Sequence, residues 1–231
     1  MLEFSKILLR LSKFLILGFF LLSVGISCAP EGKPADNTNK NIIVLTPEIA
    51  EIVCALDASN MIEAVTRECD FPRVLKTKTQ VGSFSTPDIE KIISLQPDLV
   101  FVSGLEQEIV KNKLSKLSTK VYQFYPNTVD SLLRTINKIG KLIDKEKAAD
   151  SLVKHLQHKL NQINIPKNKP TVYFEVYKNP LMTATGESYV GDVIRKSGGI
   201  NTFASLARDY CRVPAERVIK ANPDVIIISY S

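Results

Sequence analysis

Along most of the chain, short apolar runs alternate with stretches whose apolar residues recur at helical spacing. Ile42-Ile-Val-Leu45 is the first run, of the kind a buried strand makes. Thr46 follows as an N-cap, Pro47 takes the first helical position and Glu48 the first turn, ahead of Ile49, Ile52, Val53 and Leu56 at helical intervals. The alternation continues with a strand around Glu63 to Thr66, a polar loop to Gln80 and a helix from Pro87 to Gln96. A strand Leu99-Val-Phe-Val102, a helix from Glu106 to Leu117 and a strand from Val121 to Tyr125 complete the series. Strands separated by helices in this way predict a mainly parallel sheet in an α/β lobe.

From Thr128 to Ile163 the pattern changes. Proline is absent and the only glycine is Gly140. Leu132, Leu133, Ile136, Ile139 and Ile143 form one stripe; Ala148, Ala149, Leu152, Val153, Leu156, Leu160 and Ile163 form another. This predicts one long helix, or two in series that break near Asp144. After Asn164-Ile-Pro166, the run Thr171-Val-Tyr-Phe-Glu-Val-Tyr177 opens a second βα lobe. It continues with a helix from Val190 to Ser197 stopped by Gly198-Gly199, a helix from Pro214 and the strand Val225-Ile-Ile-Ile-Ser229.

The two lobes share a repeat. Pro87-Asp-Ile-Glu90-Lys-Ile-Ile-Ser-Leu-Gln-Pro97-Asp98-Leu-Val parallels Pro214-Ala-Glu216-Arg-Val-Ile-Lys-Ala-Asn-Pro223-Asp224-Val-Ile. In both, a glutamate precedes Pro-Asp by the same interval and an apolar strand follows at once. At about 100° of rotation per residue, Glu90 and Glu216 fall on the open flank of helices whose other face is apolar.

At this repeat the chain resembles the periplasmic binding proteins with a helical backbone, which serve ABC importers of cobalamin, haem and ferric siderophores. Gly82-Ser-Phe-Ser-Thr-Pro-Asp-Ile-Glu-Lys-Ile-Ile-Ser-Leu-Gln-Pro-Asp-Leu-Val carries the likeness, and Thr66-Arg-Glu-Cys-Asp-Phe-Pro72 resembles the preceding loop of the cobalamin-binding members. The likeness runs in order from Ile42 to Ser229 and includes Thr185-Gly186-Glu187. It implies two βα lobes with mainly parallel sheets, joined by a long rigid helix and clasping a ligand cleft, with modest closure. The expected parts are an N-terminal lobe over 42–126, a linking helix region over 127–166 and a C-terminal lobe over 167–231. Family members continue for another helix after the strand that Val225–Ser229 matches. The sequence stops at Ser231, so either the C-terminal lobe is reduced or the sequence is incomplete, and a missing helix would leave a sheet face uncovered.

The resemblance also implies a role: capture of cobalamin or a related corrinoid and delivery to the permease subunits, with haem or a ferric siderophore as the alternative cargo. No built-in cofactor is expected. A corrin is a broad disc with amide-bearing edges, so it calls for flat apolar contacts and scattered polar groups. Phe71 and Phe84 match places where the family sets aromatics beside the ligand. Thr46 and Glu48 would face the same cleft, and Cys69 and Cys211 lie in loops that precede the two repeated helices. In this family, glutamates equivalent to Glu90 and Glu216 pair with permease arginines.

The start of the chain changes the picture of where it works. Lys6, Arg10 and Lys13 precede an apolar run from Phe14 to Val24, which is shorter than the roughly 20 residues that span a bilayer. Gly25-Ile-Ser-Cys28 ends it. Residues 1–27 resemble a lipoprotein signal peptide, with Cys28 as the acylated residue and 28–41 as a polar tether off the membrane. The net charge of +6 is spread among apolar and acidic residues, with no aromatic-basic stripe of the kind a nucleic-acid groove needs.

Three further cysteines, Cys54, Cys69 and Cys211, form no CxxC pair. In an exported protein one pair could oxidise. The only histidines, His155 and His158, lie three apart on the linking stretch, which is a poor start for a metal receptor. A secreted hydrolase is the rival class. The chain has no Gly-x-Ser-x-Gly elbow, no base in a pocket loop and no Walker loop, so an enzyme is not expected.

Overall fold

The computed structural model describes residues 40–104, 107–117 and 119–230; Cys28 and the leader and tether up to residue 39 lie outside them. In the first lobe β1 (Ile42–Val44) sits between β2 (Ile62–Val65) and β4 (Leu99–Ser103), with β3 (Thr79–Gln80) and β5 (Val121–Phe124) at the edges. All four pairings are parallel, and Ile42 lies opposite both Ile62 and Leu99. Alternate residues of a strand face opposite ways. Accordingly Ile42, Val44 and Phe101 point into one core, with Ile49 and Val53 of α1 (Pro47–Ala55). Ile43, Val100 and Val102 point into the other, with Ile92 of α2 (Ile89–Ser94) and Val110 and Leu114 of α3 (Glu108–Ser115). A sheet covered on both faces explains why its strands read as unbroken apolar runs.

The linking stretch is two helices, α4 (Val129–Leu142) and α5 (Glu146–Asn161). Thr128 and Ser131 cap α4 reciprocally: the Ser131 N–H donates to Thr128 Oγ1 at 3.0 Å and the Thr128 N–H to Ser131 Oγ at 2.9 Å. The helix breaks at Asp144, whose φ is 57°. Lys40 secures the break, donating to the Leu142 carbonyl at 2.8 Å and pairing with Asp144 at 2.5 Å, where a cation suits a helix C-terminus. Close approach needs Gly140, since a Cβ there would stand 2.5 Å from Ala149 Cβ. Leu132 and Leu133 line the same groove as Leu156 and Leu160, so α5 folds back along α4 as a hairpin. Leu133, Ile136, Ile139, Ala149 and Val153 all join the first lobe's core. The connector therefore packs as an outer layer on the first lobe, and the end of α5 reaches a groove it shares with the second lobe.

The second sheet is mixed. Its path is β10 (Val225–Ile228), β6 (Thr171–Lys178), β7 (Leu181–Ala184), β9 (Tyr210–Arg212), with β8 (Ile200–Asn201) also on β6. β7 and β9 are antiparallel to their neighbours, which departs from the mainly parallel expectation. The reason is local: Asn179-Pro180 joins β6 to β7, and two residues can close a hairpin but not a parallel crossover. Tyr173, Phe203 and Val213 form the core, with the two rings edge-to-face at 5.8 Å. The repeated Pro-Asp does the same work twice. Asp98 accepts the Asn41 N–H at 2.7 Å and Asp224 the Thr171 N–H at 2.7 Å, so each ties the start of one central strand to its parallel neighbour. α6 (Tyr189–Lys196) and α7 (Ala215–Ala221) complete the lobe. α7 buries none of its residues, and Val225 to Ile228 are all exposed, leaving an apolar groove of about 400 Å³ along β10. Among the described residues, no helix is long and apolar enough to cross a membrane.

Candidate functional site

The lobes meet where the C-terminal ends of β4 and β5 face the β7–β9 end of the second sheet. A cavity of about 330 Å³ lies there, with Glu48, Ser103, Tyr125 and Asn127 on the first side and Tyr189, Asp209 and Tyr210 on the second. Its position outside the carboxyl ends of parallel strands is the usual ligand site of such a sheet. Tyr125 reaches across and donates to Asp209 at 2.5 Å, a hydrogen bond between residues 84 apart in sequence.

Two groups hold the second lobe beside this cavity. Asp192 of α6 is buried, and its Oδ2 accepts the Val129 N–H at 2.8 Å, at the first turn of α4. Arg195 bonds the other oxygen. Burial alone would raise this carboxyl, but the Val129 N–H and the Arg195 and Lys196 charges bring it below its usual value. Lys196 pairs with Asp130 at 3.0 Å beside it.

The loops at the strand ends are clamped in both lobes. Glu68 accepts the Phe84 N–H at 2.8 Å, and Gln107, fully buried, donates to the Phe84 carbonyl at 3.1 Å and to the Leu45 carbonyl at 3.0 Å. Gly82 turns this loop at φ +88°, where a Cβ would lie 2.5 Å from the Thr86 carbonyl oxygen. In the second lobe Glu187 accepts the Arg208 N–H at 2.9 Å and Thr185 donates to the Arg208 carbonyl at 2.5 Å.

The residues singled out from sequence end up in different places. Glu48 lines the cavity. Thr46 is fully buried, and its hydroxyl caps α1 by accepting the Ile49 N–H at 3.4 Å. Phe84 is half-buried in its clamped loop, and Phe71 is 66% exposed on the surface beyond it. Cys69 is buried against Thr66, and burial pushes its thiol up, so it stays protonated. Cys211 is half-buried and donates to the Ala207 carbonyl at 2.9 Å. Cys54, Cys69 and Cys211 are all free thiols, with no disulfide among them. Glu90 and Glu216 are exposed in the first turns of α2 and α7.

Sequence reasoning passed over Tyr125, Asn127, Tyr189, Asp209 and Tyr210, which supply most of the cavity's polar surface. A usable signal was present in one of them, since Tyr125 follows β5 directly at the end of the first lobe. Among the described residues, no group of three or more acids, histidines or cysteines is placed to hold a metal ion.

Two α/β lobes with a cavity at their facing strand ends have the arrangement of a bilobed binding protein. The chain belongs to the periplasmic binding protein family, which it matches over residues 42–231. The vitamin B12-binding protein of Vibrio parahaemolyticus is 24% identical over 200 residues, covering 84% of this chain and 72% of that protein. The solved periplasmic vitamin B12 binding protein of Vibrio cholerae superposes with a TM-score of 0.70 at 26% identity, over 81% of this chain and 75% of that one. The periplasmic haem binding protein of Vibrio cholerae superposes at 0.72 with 20% identity, over 83% and 76%, a likeness of fold alone. These relatives are binding proteins and not enzymes, and so is this chain. The family works outside the cytoplasm, binding small molecules for ABC-transporter permeases.

Proposed function

We propose that this chain captures cobalamin or a related corrinoid and delivers it to an ABC import permease, held at the membrane by acyl groups on Cys28. The observation that carries the ligand choice is the cavity's chemistry. Its lining brings phenols, an amide, a hydroxyl and the carboxylates of Glu48 and Asp209, with no lysine, arginine or histidine among them. Carboxylates accept hydrogen bonds from the amide edges of a corrin but repel the propionates of haem and the anionic donors of many siderophores. Burial, then the charge of Asp192, pushes the Tyr189 phenol up; burial, then Asp209, does the same to Tyr210. Both present flat walls with a polar tip to the cavity.

Delivery rests on Glu90 and Glu216. Each is exposed at the equivalent step of a repeated helix in a different lobe, ahead of a Pro-Asp that makes the same 2.7 Å bond. A symmetric pair of permease subunits presenting arginines would meet both, since Arg and carboxylate make oriented bidentate bonds. Calorimetric titration with cyanocobalamin, haem and a ferric siderophore tests the ligand. Saturable binding of cyanocobalamin, tighter than of the other two, is expected. Tighter haem or siderophore binding overturns the assignment.

A further inference from the structure

A second cavity, of about 260 Å³, opens beside the first and shares Tyr125 and Pro126 with it. Its chemistry is the reverse. Arg134 and Lys138, one turn apart on α4, line it with Gln123 and Thr135, and no carboxylate does. Neither cation has a carboxylate partner among the described residues, and the one acid in α4's first turn, Asp130, is paired with Lys196. Lys138 is held with its ammonium 5.5 Å from the Phe124 ring centroid. A third ammonium, that of Lys111, is drawn to the rim by donating to Gln123 Oε1 at 3.1 Å. Like charges gathered without counter-ions on one wall cost stability, and an anion seated among them removes that cost.

We infer that this cavity is a subsite for a phosphodiester arm of the bound ligand, reaching over Tyr125 from the main cavity. The inference rests on the reading of the main cavity as the ligand site. Together the two cavities ask for a neutral, amide-edged body with one negative appendage. A cobalamin has that division, its corrin ring being joined to a base through a phosphodiester. Arg134 supplies a planar fork for two of the anion's oxygens, and Lys138 a point charge beside it.

The test uses cyanocobalamin and dicyanocobinamide, which share the corrin ring but differ in the phosphodiester tail, against the wild type and the Arg134→Gln/Lys138→Gln double variant. Both positions are exposed, so the variant keeps its fold. At low salt the variant is expected to bind cyanocobalamin about tenfold more weakly and dicyanocobinamide unchanged. The gap should shrink toward physiological salt, where charges are screened over about 8 Å. Equal weakening of both probes, or of neither, overturns the subsite. Should the wild type bind neither probe, the corrinoid reading fails, and inorganic phosphate judges the subsite instead. Saturable shifts of the Arg134 and Thr135 amide resonances that vanish in the variant uphold it, and their absence overturns it.

Discussion

Replacing Asp192 should loosen the second lobe from the first by an amount the structure allows to be worked out. The carboxylate is 4% exposed, accepts the Val129 N–H at 2.8 Å and holds Arg195. A hydrogen bond to a charged group contributes about 1.5–3 kcal/mol. A carboxylate at a helix N-terminus adds about 0.3–1 kcal/mol, approaching about 2 when partly buried. Asp192→Asn keeps the volume and one acceptor, so it loses mainly the charge-dependent share, about 1–2 kcal/mol. Asp192→Ala leaves the Val129 N–H buried without an acceptor and should cost about 3 kcal/mol. For a chain of this size each kcal/mol moves Tm by about 2–4 °C, so the Asn variant should melt about 2–8 °C lower. The native pKa is lowered, so the contribution is fully present above the unfolded value near 3.9 and is lost as pH falls through the native one. Urea unfolding of wild type and Asp192→Asn across pH should show a constant gap at neutral pH that closes below about pH 4. No gap at pH 7, or an undiminished one near pH 3, would refute the reasoning.

Gly140→Ala gains about 1 kcal/mol of helix propensity but forces a Cβ to 2.5 Å from Ala149 Cβ. Overpacking costs about 1–3 kcal/mol, so net destabilisation is expected in a urea melt, relieved by Ala149→Gly in the same chain. Tyr173 is pushed up to about 12 by burial, by its hydrogen bond to Glu175 and by that residue's charge. Its contribution is present below the unfolded value near 10 and lost as pH rises toward 12, so stability should fall over that range less steeply in Tyr173→Phe than in wild type. Glu90→Ala with Glu216→Ala should leave cyanocobalamin affinity unchanged in calorimetry while uptake by whole cells is lost; normal uptake would defeat the docking assignment.

What was legible in the residues was what neighbours in sequence decide. Buried parallel strands announce themselves as unbroken apolar runs, and Ile42–Leu45 and Leu99–Val102 stand close to where they were expected. The break at Asp144 showed as an interruption between two stripes, and the paired Pro-Asp marked equivalent joints in both lobes. β7 and β9 gave no such sign, because Leu181–Ala184 and Tyr210–Arg212 are short, mixed in polarity and stabilised by pairing with strands already in place. The hairpin of α4 on α5 was likewise hidden, as a stripe says which face is buried but not against what. The cavity was the least legible part. Tyr125 and Asp209 meet only because two lobes fold toward each other, and nothing in either local stretch records its partner.

The helical hairpin has a mechanical consequence. Two of the links between the lobes lie side by side: the covalent chain leaving α5, and the seat of Asp192 on the first turn of α4. Folding α5 back along α4 brings these together, and Val129, Leu160, Ile163 and Lys196 line one groove. A leaf fixed by two neighbouring pins can swing about the line through them but can neither slide nor twist freely. Travel under such a swing grows with distance from the pins. Tyr189 stands on α6 with Asp192, close to these links, whereas Asp209 and Tyr210 face Tyr125 from the β9 side. Any such swing would bear first on the Tyr125–Asp209 bond at that rim of the cavity.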